Sequence, residues 1–326
     1  MFKTVFKQYK VKSTSPDLSE VVSFDEIDDN PEKDSKAQRI SFNNEDTNWS
    51  EFPGLKSPRA WRTFVLKSHP GLLVIRNPFT DHGQRYWIAR CLRDYPRAPN
   101  IVNLNERLFD DSVRCDWWKE LQECKDPSER HRIKAAMRWT TLGYHHDWDT
   151  KIYNEHSKSP FPEDLSRLCQ LFSSYLGYQD FRSEAAIVNY YPLGSSLSGH
   201  TDHSEPNHLA PLFSFSFGQT AIFLIGGRTL EEKPTAIYLE SGDVLVMSGE
   251  SRLCYHAVPR IIQTTNMSTD SLPNESKLEN FKFLDIDLFE QVADSNYWQP
   301  FCSYIADSRI NINVRQVLKP GDLKLN

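Results

Sequence analysis

Two rhythms divide the chain. From residue 185 onward, short apolar runs recur with turn residues between them: "AAIVNYY", "PLFSFSF", "TAIFLIGG", "TAIYLE", "GDVLVMSG", "CYHAVPR" and finally "SRININVRQVL" (308–318). Runs spaced about ten residues apart predict an antiparallel sandwich or barrel. The earlier half has a helical period instead. "DHGQRYWIARCLRDYP" (81–96) reads as a helix opened by Asp81 and closed before Pro96, and 113–138 as another, ending in the basic run "RHRIKAAMR". A third fits 162–176, with Leu165, Leu168, Cys169 and Leu171 along one side. "GLLVIRN" (71–77) reads as a buried strand, whereas "WTTLGYHHDWD" (139–149) is too aromatic and irregular for one regular element. The pattern predicts a helical first half leading into an all-β second half, an α+β chain.

The first twelve residues, "MFKTVFKQYKVK", place Phe2, Val5, Phe6 and Tyr9 at helical spacing with lysines between them. They predict an amphipathic helix docked on the domain; a mitochondrial presequence would want Arg and more Ser. Residues 14–50 read as disordered or loosely attached, with ordered structure starting near Pro53. The expected divisions are an N-terminal extension (1–52), a helical region (53–160) and a β-rich core (161–326) carrying an acidic insert at 263–295.

Charge changes the picture next. The 326 residues carry a net −6, which argues against a polyanionic partner until its distribution is read. Residues 14–46 hold ten acidic and three basic side chains, and 268–294 hold seven acidic and two basic. Both stretches have the Ser, Asn, Asp and Pro composition of solvated segments. They leave the remainder at +6, a mildly basic body that suits a nucleic acid. The six cysteines form no C-x-x-C pair, so reduced thiols in an intracellular protein are expected, in nucleus, cytoplasm or mitochondrion. No apolar run is long enough to span a membrane.

Candidate chemistry concentrates in "GHTDHSEPNH" (199–208). His200 and Asp202, two apart, leave the same face of an extended segment. His256 follows in another β-like run. Two imidazoles and a carboxylate from two strands can cap one face of an octahedral ion and leave three positions open. H-x-D by itself is a weak signal, which the distal histidine strengthens. His203 points the other way, and His208 falls in a loop.

The last strand adds a second constellation. Arg309, Asn311, Asn313 and Arg315 share one face, opposite Ile310, Ile312 and Val314. Either this is a surface strand or the arginines face an interior where anions must pair them. A dicarboxylate cofactor would supply two such anions. Asn189 and Tyr191 share a face upstream and could complete the hydrogen bonding.

"VNYYPLGSSLSGHTDHSE", "FSFSFGQTAIFLIGG", "SGDVLVMSGESRLCYHAVPR" and "RININVR" resemble the AlkB family of Fe(II)- and 2-oxoglutarate-dependent dioxygenases. The likeness is greatest to the animal AlkB homologue one branch, which "WTTLGYHHDWD" also resembles. It runs over roughly 60–318 in the same order. It implies a double-stranded β-helix (jelly-roll) core with a nucleotide-recognition lid N-terminal to it. It also implies iron ligands His200, Asp202 and His256, and 2-oxoglutarate held by Asn189, Tyr191, Arg309 and Arg315 with Asn311 nearby, Arg309 taking the distal carboxylate. Fe(II), 2-oxoglutarate and O2 would then oxidise an N-methyl group, releasing formaldehyde, succinate and CO2. Many DNA-repair members carry a second Asp where Ser204 stands here, which shifts the expected substrate towards methylated tRNA, such as 1-methyladenosine, and N6-methyladenine in unpaired DNA.

A base must be flipped or unpaired to reach such a site, and aromatic side chains then stack on it. Trp139, Tyr144 and Tyr153 are the candidates, with Ser204 beside the metal and Arg228 as a backbone contact; simple core packing is the competing role for Trp139 and Tyr144. Arg130, Arg132, Lys134 and Arg138 could hold phosphates or form a solvated helix face. A monomer is expected. The competing functions are a protein or histone demethylase or hydroxylase on the same iron core, a non-catalytic nucleic-acid-binding module, and a zinc hydrolase, which has no need of the two arginines.

Overall fold

The computed structural model of the protein describes residues 1–11, 16–29, 36–42, 52–264 and 281–325. Fourteen strands are seen among them: β1 Ala37–Ile40, β2 Arg62–Leu66, β3 Leu72–Arg76, β4 Ile101–Val102, β5 Trp139–His146, β6 Tyr153–Lys158, β7 Ala185–Pro192, β8 Leu197–His200, β9 Leu212–Gly218, β10 Thr220–Ile225, β11 Thr235–Leu239, β12 Val244–Met247, β13 His256–Ile262 and β14 Ser308–Arg315. The larger sheet runs β1-β2-β3-β12-β9-β14-β7-β5-β4, with β6 branching from β5; the smaller runs β11-β10-β13-β8. The two face each other as a jelly roll.

Period-two alternation assigns the faces of the larger sheet. Phe213, Phe215 and Phe217 of β9, Ile310, Ile312 and Val314 of β14, and Ala186, Val188 and Tyr190 of β7 all join one buried cluster with the helices. Each Phe, Ile or Val so buried contributes roughly 1.5–3 kcal/mol. Ser214 of β9, Asn189 and Tyr191 of β7, and Arg309, Asn311, Asn313 and Arg315 of β14 point the other way, into the space between the sheets. Helices Asp81–Ala89, Glu163–Tyr175, Ile286–Gln291 and Ser295–Ile305 cover the outer, apolar face. The smaller sheet is covered outside by the helix Phe2–Lys10, where Phe2 and Tyr9 bury against Ile222, Leu224 and Ala257.

Four expectations are corrected. Residues 113–138 form three helices, Asp111–Cys115, Trp117–Glu123 and Pro127–Ala136. Asp116 and Asp126 each accept a backbone N–H three residues on, and Pro127 opens the last helix, so the chain restarts twice. Trp139–His146 is one strand, β5, which pairs with β7 as far as Gly143 and then, with an irregularity, with β6. Gly143 makes the switch at φ 69°, where a Cβ would lie 2.1 Å from the Glu184 carbonyl oxygen. The first half therefore supplies six strands, of which only β3 answers to the strand expected at 71–77.

The third correction concerns the N-terminal acidic stretch, whose described part is ordered. Phe24 and Ile27 are buried, β1 pairs with β2, and Asp25 binds Arg76 at 2.7 Å and Arg62 at 3.2 Å. The fourth concerns the C-terminal part of the insert at 263–295, which holds a helix with buried Leu288 and Phe289; residues 265–280 lie outside the described residues. In both cases acidic side chains that read as solvating sit beside apolar ones that dock. Among the described residues no helix is long and apolar enough to cross a membrane.

Candidate metal and dicarboxylate site

The space between the sheets is a cavity of about 490 Å³ that holds both constellations. His200 closes β8, and Asp202 lies just beyond it. His256 opens β13 and is the cross-strand partner of His200. The imidazole Nε2 of His200 lies 3.7 Å from one Asp202 oxygen, and that of His256 lies 4.0 Å from the other. One ligand atom from each of the three falls within 4.8 Å of the others, the spacing of donors around a single ion. The Nδ1 atoms face backbone carbonyls, His200 towards Ser198 at 2.9 Å and His256 towards Cys254 at 3.1 Å. Donation there leaves each Nε2 as the lone-pair nitrogen turned to the metal position.

Charge in the cavity is arranged to keep these groups competent. Burial would raise Asp202, but Arg315, then both histidines and Arg252, hold it well below the ordinary carboxylate range. His256 is pushed down to about 4 by burial and by the neighbouring His200. Arg315 donates to Asp202 Oδ2 at 2.8 Å and lies 3.2 Å from Glu205. Glu205 is itself buried and accepts from Arg252 at 3.0 Å and from the Tyr153 hydroxyl at 2.9 Å. Arg252 also donates to the backbone oxygens of Asp202 and Ala210, so it ties down both ends of the loop bearing the carboxylate. The sequence gives no signal for Arg252, which lies in a short 3₁₀ turn without periodic signature.

Arg309 is the exception. It is 1% exposed, and its Nη2 donates to Ser216 Oγ at 2.9 Å, but Nε and Nη1 are buried with no partner. Burial pushes this guanidinium down to about 10. A buried cation with idle donors is costly unless an anion meets it, so the position fits the carboxylate of a ligand. Asn311 beside it is bound to Ser214 and the Phe215 carbonyl. Tyr191, its hydroxyl raised to about 12 by burial, and Asn189 line the same cavity. The residues present therefore fit a metal ion and a dicarboxylate side by side.

The aromatic candidates separate. Tyr153 lines the cavity, and so does Ser204, whose hydroxyl is 3.0 Å from His146. Trp139, opposite Asn189 in the sheet, contacts Trp148 with ring centroids 5.2 Å apart. Trp148 contacts His146 at 4.6 Å, and His146 contacts Tyr153 at 5.3 Å. The four form a continuous aromatic series, of which Trp148, His146 and Tyr153 line the cavity and Trp139 does not; His146 and Trp148 were missed because their segment read as irregular. Tyr144 lies off the cavity, packed with Ala185 and Val317 and bonded to Glu155. Arg228 is exposed beyond β10 and does not line the cavity. His203 and His208 are exposed. In the basic run, Arg132 pairs with Glu129 and Lys134 with Asp307, while Arg130 and Arg138 are exposed.

Comparison with known proteins agrees with this geometry. Residues 71–315 match the 2OG-Fe(II) oxygenase superfamily. The human nucleic acid dioxygenase ALKBH1 is 40% identical over 270 residues, covering 81% of this chain and 69% of its own. The DNA N(6)-methyladenine demethylase ALKBH1A of Arabidopsis thaliana is 33% identical over 288 residues, covering 78% and 77%. The tRNA demethylase abh1 of Schizosaccharomyces pombe is 34% identical over 271 residues, covering 78% and 82%. A jelly roll whose cavity gathers two imidazoles, a carboxylate and an idle arginine, matched over this length, places the chain in the 2OG-Fe(II) oxygenase superfamily and, within it, in the AlkB family.

Proposed function

We propose that the protein is an oxidative demethylase of N-methylated bases in nucleic acid, acting on tRNA and on unpaired or flipped bases in DNA. His200, Asp202 and His256 hold Fe(II), and Arg309 takes the distal carboxylate of 2-oxoglutarate, with Tyr191 and Asn189 beside it. The observation that carries this reading is the idle, buried guanidinium of Arg309 in the same cavity as the triad. Bound Fe(II) would supply the coupled oxidation in which O2 converts 2-oxoglutarate to succinate and CO2 and hydroxylates the N-methyl carbon, which then leaves as formaldehyde. The chain's own part is placement. Arg315 and Arg252 fix the Asp202 loop, and the Nδ1 bonds fix both imidazoles. The rim of Trp148, His146 and Tyr153 offers π-faces on which an unstacked base can lie while the cavity walls exclude water. The relatives' named activities on tRNA and DNA support the substrate class.

The test is to supply Fe(II) and 2-oxoglutarate with methylated tRNA, unpaired methylated DNA or methylated histone peptide, and to measure formaldehyde, succinate and modified nucleosides. Loss of a methyl mark from nucleic acid, matched by succinate and abolished in Asp202→Ala, is expected. Coupled turnover on the histone peptide alone would overturn the assignment.

A further inference from the structure

We propose that the helix Phe2–Lys10 is a positioning element of the metal centre, acting through the Phe2 ring seated between Gly199 and Gly226 behind the strands that carry His200 and His256. The inference rests on the reading of His200, Asp202 and His256 as metal ligands, and assigns them a support on the opposite face of the smaller sheet.

Phe2 is 1% exposed, the most deeply buried side chain of its helix. A Cβ at Gly199 would lie 2.9 Å from its ring, and one at Gly226 would lie 2.8 Å away, so any side chain at either position would press on the ring. Gly199 directly precedes His200. Gly226 follows β10, and its N–H donates to the Tyr255 carbonyl at 2.8 Å, next to His256. The ring therefore lies against the residue before His200 and against Gly226, which is hydrogen-bonded to the residue before His256. The helix is anchored at each end: the Phe2 N–H donates to the Leu230 carbonyl at 3.0 Å, and Arg260 on β13 donates to the Val11 carbonyl at 2.7 Å. Its lysines face outward.

The strand that benefits is the weakest part of the site. β8 has four residues, lies at the edge of the smaller sheet, and pairs with β13 at His256↔His200 and Val258↔Leu197 with an irregularity between. A short edge strand held by so few bonds opens easily. A metal site needs its donors held to within about 0.5 Å. Asp202 is fixed by Arg315 and Arg252, and His256 lies within the sheet. His200, whose side chain is 37% exposed, is held by its Ser198 bond, by the His256 ring 4.3 Å away and by this strand. The Phe2 ring packs under the residue before it and supports the strand from the opposite face.

Titration of the metal-free full chain with Co(II), followed by the visible absorption of the bound ion, tests this directly and needs no turnover. Phe2→Ala is expected to weaken Co(II) binding roughly 10-fold, the lower end of what groups supporting ligands contribute, and to alter the band. Phe2→Leu is expected to recover most of the affinity. Should Phe2→Ala not fold, Gly226→Ala, which presses on the ring and leaves the helix's own sequence unchanged, is expected to reproduce the loss. Tyr9→Ala, at the other end of the helix, should lower thermal stability and leave Co(II) affinity at the wild-type value. Wild-type affinity in Phe2→Ala, or an equal loss in Tyr9→Ala, overturns the proposal while leaving the metal site intact. A wild-type protein that takes up no Co(II) overturns the metal-site reading, and this inference with it.

Discussion

Arg309 and Arg315 stand on the same polar face of the same strand, 1% and 4% exposed, yet their surroundings are opposite. Arg315 meets Asp202 and Glu205, which lift its guanidinium above the usual range despite burial. Arg309 meets Ser216 Oγ and keeps two idle donors, and burial pushes it down to about 10. One charge is consumed by the protein, while the other is kept free. The difference teaches that a buried arginine acquires a ligand-binding role when the fold declines to pair it. That is affordable here because a dicarboxylate can complete the pairing when it binds.

The sharpest way to break the comparison is to remove each arginine in turn. Arg315→Met leaves Asp202 and Glu205 buried with one cation fewer, at a cost of roughly 3–5 kcal/mol. Chemical denaturation should show that loss, together with failure to bind metal. Arg309→Met should do the reverse. Metal-free stability should hold or rise, because a lone buried charge is gone, while 2-oxoglutarate affinity falls by about 3 kcal/mol, or roughly 100-fold in Kd. Calorimetric titration with 2-oxoglutarate in the presence of Mn(II) measures it. Equal destabilisation by the two substitutions would end the distinction.

Smaller changes sharpen it. Tyr153→Phe removes one of three donors from Glu205, leaving Arg252 and Arg315, and should cost about 1–2 kcal/mol in denaturation. Trp148→Ala, at a position 47% exposed on the rim, should change stability by less than about 0.5 kcal/mol. Its effect should appear instead as a several-fold rise in KM for methylated nucleic acid, since one base–aromatic stack contributes about 1 kcal/mol or more. Initial rates with varied tRNA or single-stranded DNA would show it.

The ease of reading the sequence differed between the two halves for a physical reason. β9 and β14 alternate strictly, Phe213-Ser214-Phe215-Ser216-Phe217 and Arg309-Ile310-Asn311-Ile312-Asn313, so the pleat alone sorts their faces. β5 does not alternate, because it is buried along six of its eight positions and bends at Gly143, so its strand character comes from pairing with β7. β1 and the helix Phe24–Asp29 lie in a composition typical of solvated chain, and are held by Arg62, Arg76 and β2, all distant in sequence. Arg252 left no periodic trace, because its partners Asp202, Glu205 and Ala210 lie more than forty residues away in the chain.

By itself, the sequence determined the alternating faces of the β-rich half, the H-x-D with its distal histidine, and two arginines on one polar face. These follow from local backbone geometry, which repeats every two residues whatever lies across the sheet. Tertiary structure alone decided that those faces close on one cavity, that Arg315 is matched while Arg309 is left free, and that acidic Asp25 and apolar Phe24 dock rather than drift in solvent. Pairing and burial are properties of segments brought together from far apart in the chain, and no local period encodes them.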